Sequence, residues 1–256
     1  MRFFDIPKPS LDSTRQMFIE LESDERTSKI DLGIGIYRDE NGLAPVFKSV
    51  KTAEKLLFEV ESSKSYKTPA GNSKYCKNIL DLVLGKAIID ERGDKIGSIQ
   101  IPGAGSGLRI AGELIKNNLQ NKLISIPNPT WGQQPFMFKK SGLKVINYNY
   151  YNQENNFLDF DNMIYDLKKL KSGDSILLHG CCHNPTGADL TVDQWEQVAN
   201  ICLKQGILPF IDLVYQGLGI GVEEDVLGIR KLVQIVPEVI ITVSSSKTFG
   251  VYRDRC

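Results

Sequence analysis

Residues 175–216 read SILLHGCCHNPTGADLTVDQWEQVANICLKQGILPFIDLVYQ. The two ends, SILLHG and ILPFIDLVYQ, are apolar runs of strand length, and TVDQWEQVANICLKQG between them carries its apolar residues at helical spacing. Thr191 and Gln194 stand three positions apart at the start of that helix, the spacing of a capping box. Strands so continuously apolar are covered on both faces. A strand–helix–strand order of this kind joins neighbours in a parallel sheet.

The same alternation extends outward. Upstream, 51–60 and 73–89 have helical spacing, and IGSIQIPG (96–103) is a strand-like run ending in a Gly-rich turn. Helix 107–119, strand 121–129, helix 134–142, strand 143–150 and helix 160–170 follow. Downstream, helix 223–236 and strand 238–245 close the series. The expectation is an α/β fold, a three-layer α/β/α arrangement on a mainly parallel sheet. In such sheets ligands sit beyond the carboxyl ends of the strands, so the polar residues ending each strand carry the chemistry.

Composition narrows the class. The 256 residues include 41% hydrophobic and 24% charged side chains, with 31 basic against 31 acidic. That balance, without a basic stripe interleaved with aromatics, argues against nucleic acid as a partner. No apolar run reaches membrane-spanning length, and MRFFDIPKPSLDS has the features of no targeting segment. Five cysteines make no disulfide framework, so a reduced, cytoplasmic setting is expected. Cys181 and Cys182 fall between His179 and His183, the two histidines of the chain. Adjacent residues on an extended strand point to opposite faces, which argues against a shared ion. No metal is expected, and the pair reads as small buried side chains.

Four strand ends stand out. IPGAGSGLRIAGEL (101–114) puts a Gly-rich turn before a helix, where free N–H groups and the helix dipole favour a phosphate; tight packing is the plainer reading. In NPTWGQQ (128–134), Trp131 falls at a strand mouth, placed to stack on a planar ring or simply to pack on the core. ILPFIDLVYQG ends with Asp212 and Tyr215, and a carboxylate inside an apolar strand needs a partner. In ITVSSSKTFGVYRDR (241–255), Lys247 follows three serines and precedes Arg255. A partly desolvated Lys forms Schiff bases, and hydroxyls with an Arg fork suit a phosphate. A phosphate cradle, an aromatic plate, a carboxylate, a phenol and an amine are together what pyridoxal 5′-phosphate requires.

At these residues the chain resembles the fold-type I aminotransferases, in particular the aspartate/aromatic amino acid subfamily. HGCCHNPTGADLT, FIDLVYQGLGIGVEED, SSSKTFGVYRDR, LGIGIYRDENG (32–42) and NPTWGQQ match its blocks in order, and the similarity runs from about residue 4 to the end. The resemblance implies a catalytic Lys247 that bonds the cofactor as a Schiff base and shuttles a proton, and an Asp212 paired with the pyridine nitrogen. It implies that Tyr215 and Asn184 bond the phenolate oxygen and that Trp131 stacks on the ring. Ser244, Ser246, Arg255 and the turn at Ala104, Gly105 and Ser106 would bind the phosphate. Gly35, Trp131 and Asn184 would line the substrate site. Tyr66 would reach the phosphate of a neighbouring subunit, so a homodimer with shared sites is implied.

The departures are a Gly105 where the family's turn carries Thr, and a Gln134 where many members have a His supporting the Asp. His179 matches a second supporting position. The implied activity is ping-pong transfer of an amino group between aspartate or an aromatic amino acid and a 2-oxo acid such as 2-oxoglutarate. Residues 1–44 would form an N-terminal arm and small-domain segment, and 45–256 an incomplete cofactor-binding large domain. The family continues past the equivalent of Arg255, so a C-terminally truncated chain without its small domain is expected. Another reaction on the same cofactor (a lyase or decarboxylase) and an inactive fragment remain as alternatives. A dinucleotide-binding module is disfavoured by the lack of G-x-G-x-x-G.

Overall fold

In the computed structural model, residues 13–30, 33, 35–66 and 68–254 are described. The chain divides into two compact units, 1–45 and 46–256. The first carries helix α1 (Ser13–Ser23) and a turn in which Asp39 Oδ1 accepts from the N–H groups of Asn41 and Leu43, both at 2.9 Å. Gly35 lies in this unit, outside regular structure. Arg255 lies outside the described residues.

The second unit begins with α2 (Lys48–Val60), α3 (Ser73–Arg92) and α4 (Gly103–Asn118). Then come β1 (Leu123–Asn128), α5 (Gln133–Lys140) and β2 (Lys144–Asn149), followed by a hairpin of β3 (Tyr151–Asn152) and β4 (Phe157–Leu158). α6 (Phe160–Leu167), β5 (Ser175–His179), α7 (Val192–Gln205), β6 (Leu208–Leu213), α8 (Leu227–Ile235), β7 (Ile240–Val243) and α9 (Ser245–Thr248) complete it. Among the described residues, β2-β1-β5-β6-β7 form one parallel sheet. The α/β class with a mainly parallel sheet is therefore what the chain adopts.

Side-chain alternation sorts the sheet into two faces. Ile176, Leu178, Ile211 and Leu213 pack with α3, α6, α7 and α8, whereas Leu177 and Phe210 pack with Leu108 of α4 and Phe138 of α5. Each such fully buried aliphatic or aromatic side chain contributes about 1.5–3 kcal/mol. The same period places His179 and Asp212, two residues beyond Leu177 and Phe210, on the α4–α5 face. The β5–β6 register sets them side by side.

α7 has the expected capping box, with Thr191 accepting from Gln194 N–H and Gln194 accepting from Thr191 N–H; it ends at Gly206 in the left-handed region. The strand expected at 96–103 is not formed. Residues 96–100 have no regular structure and face β7 across an apolar groove lined by Ile99, Ile101, Ile240 and Val243. A strand needs a ladder partner as well as an apolar run, and β7 pairs only with β6 among the described residues. The Gly-rich stretch expected as a turn is the first turn of α4 itself, because Gly103 takes φ +76 and swings the chain into the helix four residues early. Within α3, Gly85 has φ +74 and breaks the helix; Arg230 Nε donates to the Val83 carbonyl at 2.9 Å and its Nη2 to the Leu82 carbonyl at 3.2 Å. Among the described residues no helix is long and apolar enough to cross a membrane.

Candidate active site

The carboxyl ends of β5, β6 and β7 bring a set of polar side chains to one edge of the sheet. At its centre is Asp212, 6% exposed in β6. Gln134 Nε2, from the first turn of α5, donates to Asp212 Oδ2 at 2.7 Å, and Thr242 Oγ1, paired with Asp212 across the β6–β7 ladder, donates to Oδ1 at 3.3 Å. Burial drives the Asp212 carboxyl up to about 6, although the Gln134 and Thr242 bonds and the positive charge of Lys247 pull it down.

Gln134 is itself fully buried and held at its other end. Its Oε1 accepts from Thr130 Oγ1 and lies 3.0 Å from His179 Nε2. His179 Nδ1 accepts the backbone N–H of Asn184 at 3.2 Å, so the ring proton sits on Nε2 and is donated to Gln134. Burial holds the His179 imidazole neutral, its pKa lowered to about 4. A chain of neutral donors thus runs from Asn184 N–H through His179 and Gln134 to the Asp212 carboxylate. Gln134 supports Asp212 directly, and His179 supports it through Gln134.

The loop after β5 is pinned by Asp189, whose carboxylate accepts from Cys182 N–H at 2.6 Å and His183 N–H at 2.8 Å. His183 is buried between Tyr150, with ring centroids 4.0 Å apart, and His179, at 4.4 Å. Its Nδ1 lies 2.8 Å from Thr186 Oγ1, and its Nε2 is buried without a hydrogen-bond partner among the described residues. Burial, reinforced by neighbouring His179, lowers its pKa to about 2. This frame fixes Asn184, whose side chain lies close enough to Tyr215 to favour its phenolate. Burial raises the Tyr215 phenol, with the Asp212 charge adding to the effect.

Here the reading of the cysteine pair is corrected. β5 ends at His179, and Cys182 has φ +48, a left-handed conformation stabilised by the two N–H bonds to Asp189. The chain therefore turns, and Cys181 and Cys182 carry their sulfurs to the same place instead of opposite faces. The neighbouring Cys181 thiol favours the Cys182 thiolate and lowers its pKa.

Lys247 lies in α9, directly after β7. Its Nζ stands 5.5 Å from the Tyr215 ring centroid. Ser244 caps α9 by accepting Ser246 N–H at 3.2 Å, and Ser245 Oγ lies 2.9 Å from Tyr75 Oη. Ser244 and Ser246 are buried. No side chain caps α4, so the first-turn N–H groups of Ala104 and Gly105 have no acceptor within the helix, while Ser106 Oγ donates to the Pro102 carbonyl at 3.0 Å. Gly107 brings this end of α4 against Thr242: a Cβ there would stand 2.9 Å from Thr242 Cγ2. Trp131 is 36% exposed just beyond β1, and Tyr66 is fully exposed.

Asp212, Tyr215, Asn184 and Lys247 thus come together, with Ser244 and Ser246 preceding Lys247 in sequence and α4 packed against β7. Sequence reasoning passed over Thr130, Thr242, Asp189 and Tyr75. Thr242, the one polar residue in IITV, was the most readable of them, since register aligns it with Asp212.

The chain matches the family model described as aminotransferase class I and II over residues 27–256. It is 42% identical over 232 residues to a tyrosine aminotransferase of Rhizobium meliloti, covering 91% of this chain and 59% of that one. Identity to an aspartate aminotransferase of Escherichia coli is 41% over 235 residues, again 91% and 59% of the two chains. The structure is similar to that of an aromatic-amino-acid aminotransferase from Burkholderia pseudomallei covalently bound to pyridoxal phosphate, with a TM-score of 0.94 and 29% identity, over 100% of this chain and 64% of that one. The chain spans 59% of the length of the two curated relatives.

Proposed function

Because the chain belongs to the class I and II aminotransferases, we propose that the protein uses pyridoxal 5′-phosphate to move an amino group between an L-amino acid, aspartate or aromatic, and a 2-oxo acid such as 2-oxoglutarate. The observation that carries this reading is the buried Asp212 carboxylate, oriented by neutral donors and lying within the field of the Lys247 amine. Burial alone penalises that anion, and a cationic ring N–H against it would relieve the penalty. The donor set therefore fits the cofactor.

Pyridoxal 5′-phosphate, when bound, supplies an aldehyde for amines and a protonated ring that withdraws electrons from the amino acid Cα. Asp212 would hold the ring nitrogen protonated, and Gln134 with Thr242 keep its carboxylate aimed. Tyr215 and Asn184 would donate to the ring oxygen, and Trp131 would cover the ring face. Lys247 Nζ would hold the aldehyde and act as the base that takes and returns the Cα proton. The first-turn N–H groups at Ala104 and Gly105, with the hydroxyls of Ser106, Ser244 and Ser246 and with Arg255, would bind the phosphate dianion through backbone donors, hydroxyls and a guanidinium fork. Gly35, Trp131 and Asn184 would receive the substrate. We further infer a cytoplasmic homodimer in which the fully exposed Tyr66 reaches the phosphate of the second subunit.

The test is to incubate the chain with pyridoxal phosphate, reduce with borohydride and map the modified peptide by mass. Label on Lys247, absent in Lys247→Ala, is expected, together with 2-oxoglutarate-dependent consumption of aspartate or an aromatic amino acid. Label spread over surface lysines would overturn the cofactor role of Lys247.

A further inference from the structure

Two sulfurs and a carboxylate next to the site take no part in the chemistry above. Cys181 is 5% exposed, Cys182 is half-buried, and Cys181 Sγ, Cys182 Sγ and an Asp225 carboxylate oxygen lie within 4.8 Å of one another. We propose that these three atoms form a site for one soft divalent cation of the zinc and cadmium class. The site needs no cofactor.

Two sulfur ligands select for thiophilic ions over magnesium or calcium. Around a tetrahedral ion with metal–sulfur bonds of about 2.3 Å, donors lie roughly 3.8 Å apart, so the three groups need close by no more than about 1 Å. The backbone that presents the sulfurs is already set: the left-handed turn at Cys182 is held by the two bonds to Asp189 before any ion arrives. Asp225 is equally fixed. Its Oδ2 accepts from Gly217 N–H at 2.8 Å and Gly219 N–H at 3.0 Å, and its Oδ1 from Ile220 N–H at 2.8 Å and Gly221 N–H at 3.3 Å. The Gly221 contact is the longest of the four. Cys182 and Asp225 are both partly exposed, which gives the ion a route in and leaves its fourth position for water. Binding forms two metal–sulfur bonds and one metal–oxygen bond and breaks two S–H bonds, and both protons pass to solvent.

Titration with Cd²⁺ alone, read by the ultraviolet sulfur-to-cadmium charge-transfer band, tests the site in the full chain carrying Cys256→Ser. One equivalent should saturate a two-thiolate band. Cys182→Ser should halve the band and weaken binding at least tenfold, Asp225→Asn should weaken binding several-fold with the band retained, and Cys202→Ser should change neither. A band unaltered by Cys182→Ser, or none near stoichiometric Cd²⁺, overturns the proposal. Should Cys182→Ser fail to fold, alkylation of the natural chain decides: Cd²⁺ should protect Cys182 from iodoacetamide, and equal labelling with and without the ion overturns the site.

Discussion

Gln134 does at one residue what a charged partner would otherwise do. Its amide has one face for each neighbour: Oε1 takes Thr130 and His179, and Nε2 is left for Asp212. Gln134→Leu removes the shortest bond to a buried carboxylate, a loss of about 1.5–3 kcal/mol for a charged acceptor. Pyridoxal phosphate affinity should then fall roughly ten- to a hundredfold, read by spectroscopic titration of the folded variant; unchanged affinity would show that Asp212 needs no such support. The same residues set a pH dependence. The raised Asp212 carboxyl favours the fold when protonated, and that contribution is lost as pH rises from about 4 through about 6. His179 and His183, lowered to about 4 and about 2, favour the fold when neutral, and that contribution is lost as pH falls below 6.5. Between pH 4 and 6 two histidines oppose one carboxyl, so these groups together make stability rise by about 1.4 kcal/mol per pH unit. His183→Phe keeps a ring between Tyr150 and His179 but removes one proton site. Urea midpoints across that window should therefore rise less steeply than in the parent, by about the same 1.4 kcal/mol per unit. Asp212, Tyr215 and Lys247 were legible as positions because each ends an apolar strand. The meeting of Cys181 and Cys182 was not, since nothing in two adjacent cysteines announces a positive φ.

At the scale of elements, periodicity gave the helices and strands that bury a face, and failed where formation depends on a distant partner. The run at 96–101 has the composition of a strand yet forms no ladder among the described residues, and α3 breaks at Gly85, where Arg230, far along the chain, takes the loose carbonyls of Leu82 and Val83. The contact between α7 and α8 is of the same distant kind. A Cβ on Gly228 would stand 2.0 Å from Trp195 Cδ1, and Trp195 is only 3% exposed, so the indole has no room to withdraw. Gly228→Ala should cost about 1–3 kcal/mol through overpacking, more than the about 1 kcal/mol expected for removing the α7 cap with Thr191→Ala. Chemical denaturation of the two variants side by side checks the order; a milder Gly228→Ala would mean that α8 shifts freely on α7.

Across the second unit, stability should follow the sheet outward from its middle. β5 and β6 pair on both sides and are covered by helices on both faces, with Ile176, Leu177, Phe210 and Ile211 fully buried. β2 and β7 are edges among the described residues, and β7 turns its open side to the apolar groove. α2 is the opposite extreme: none of its residues is buried, and Phe58 is 90% exposed. A short helix without a packed face has only its own hydrogen bonds to hold it, which is marginal in water. Local opening should therefore cost least in α2, more at the edge strands, and most in β5 and β6, where it approaches global unfolding. Hydrogen exchange read by mass spectrometry should find the amides of 48–60 exchanged first and those of 176–178 and 210–212 last. The site stands at the carboxyl ends of those two strands, so Asp212 and His179 should keep their register through the fluctuations that open α2. Early exchange at 210–212 would break that link between the most protected strands and the candidate catalytic carboxylate.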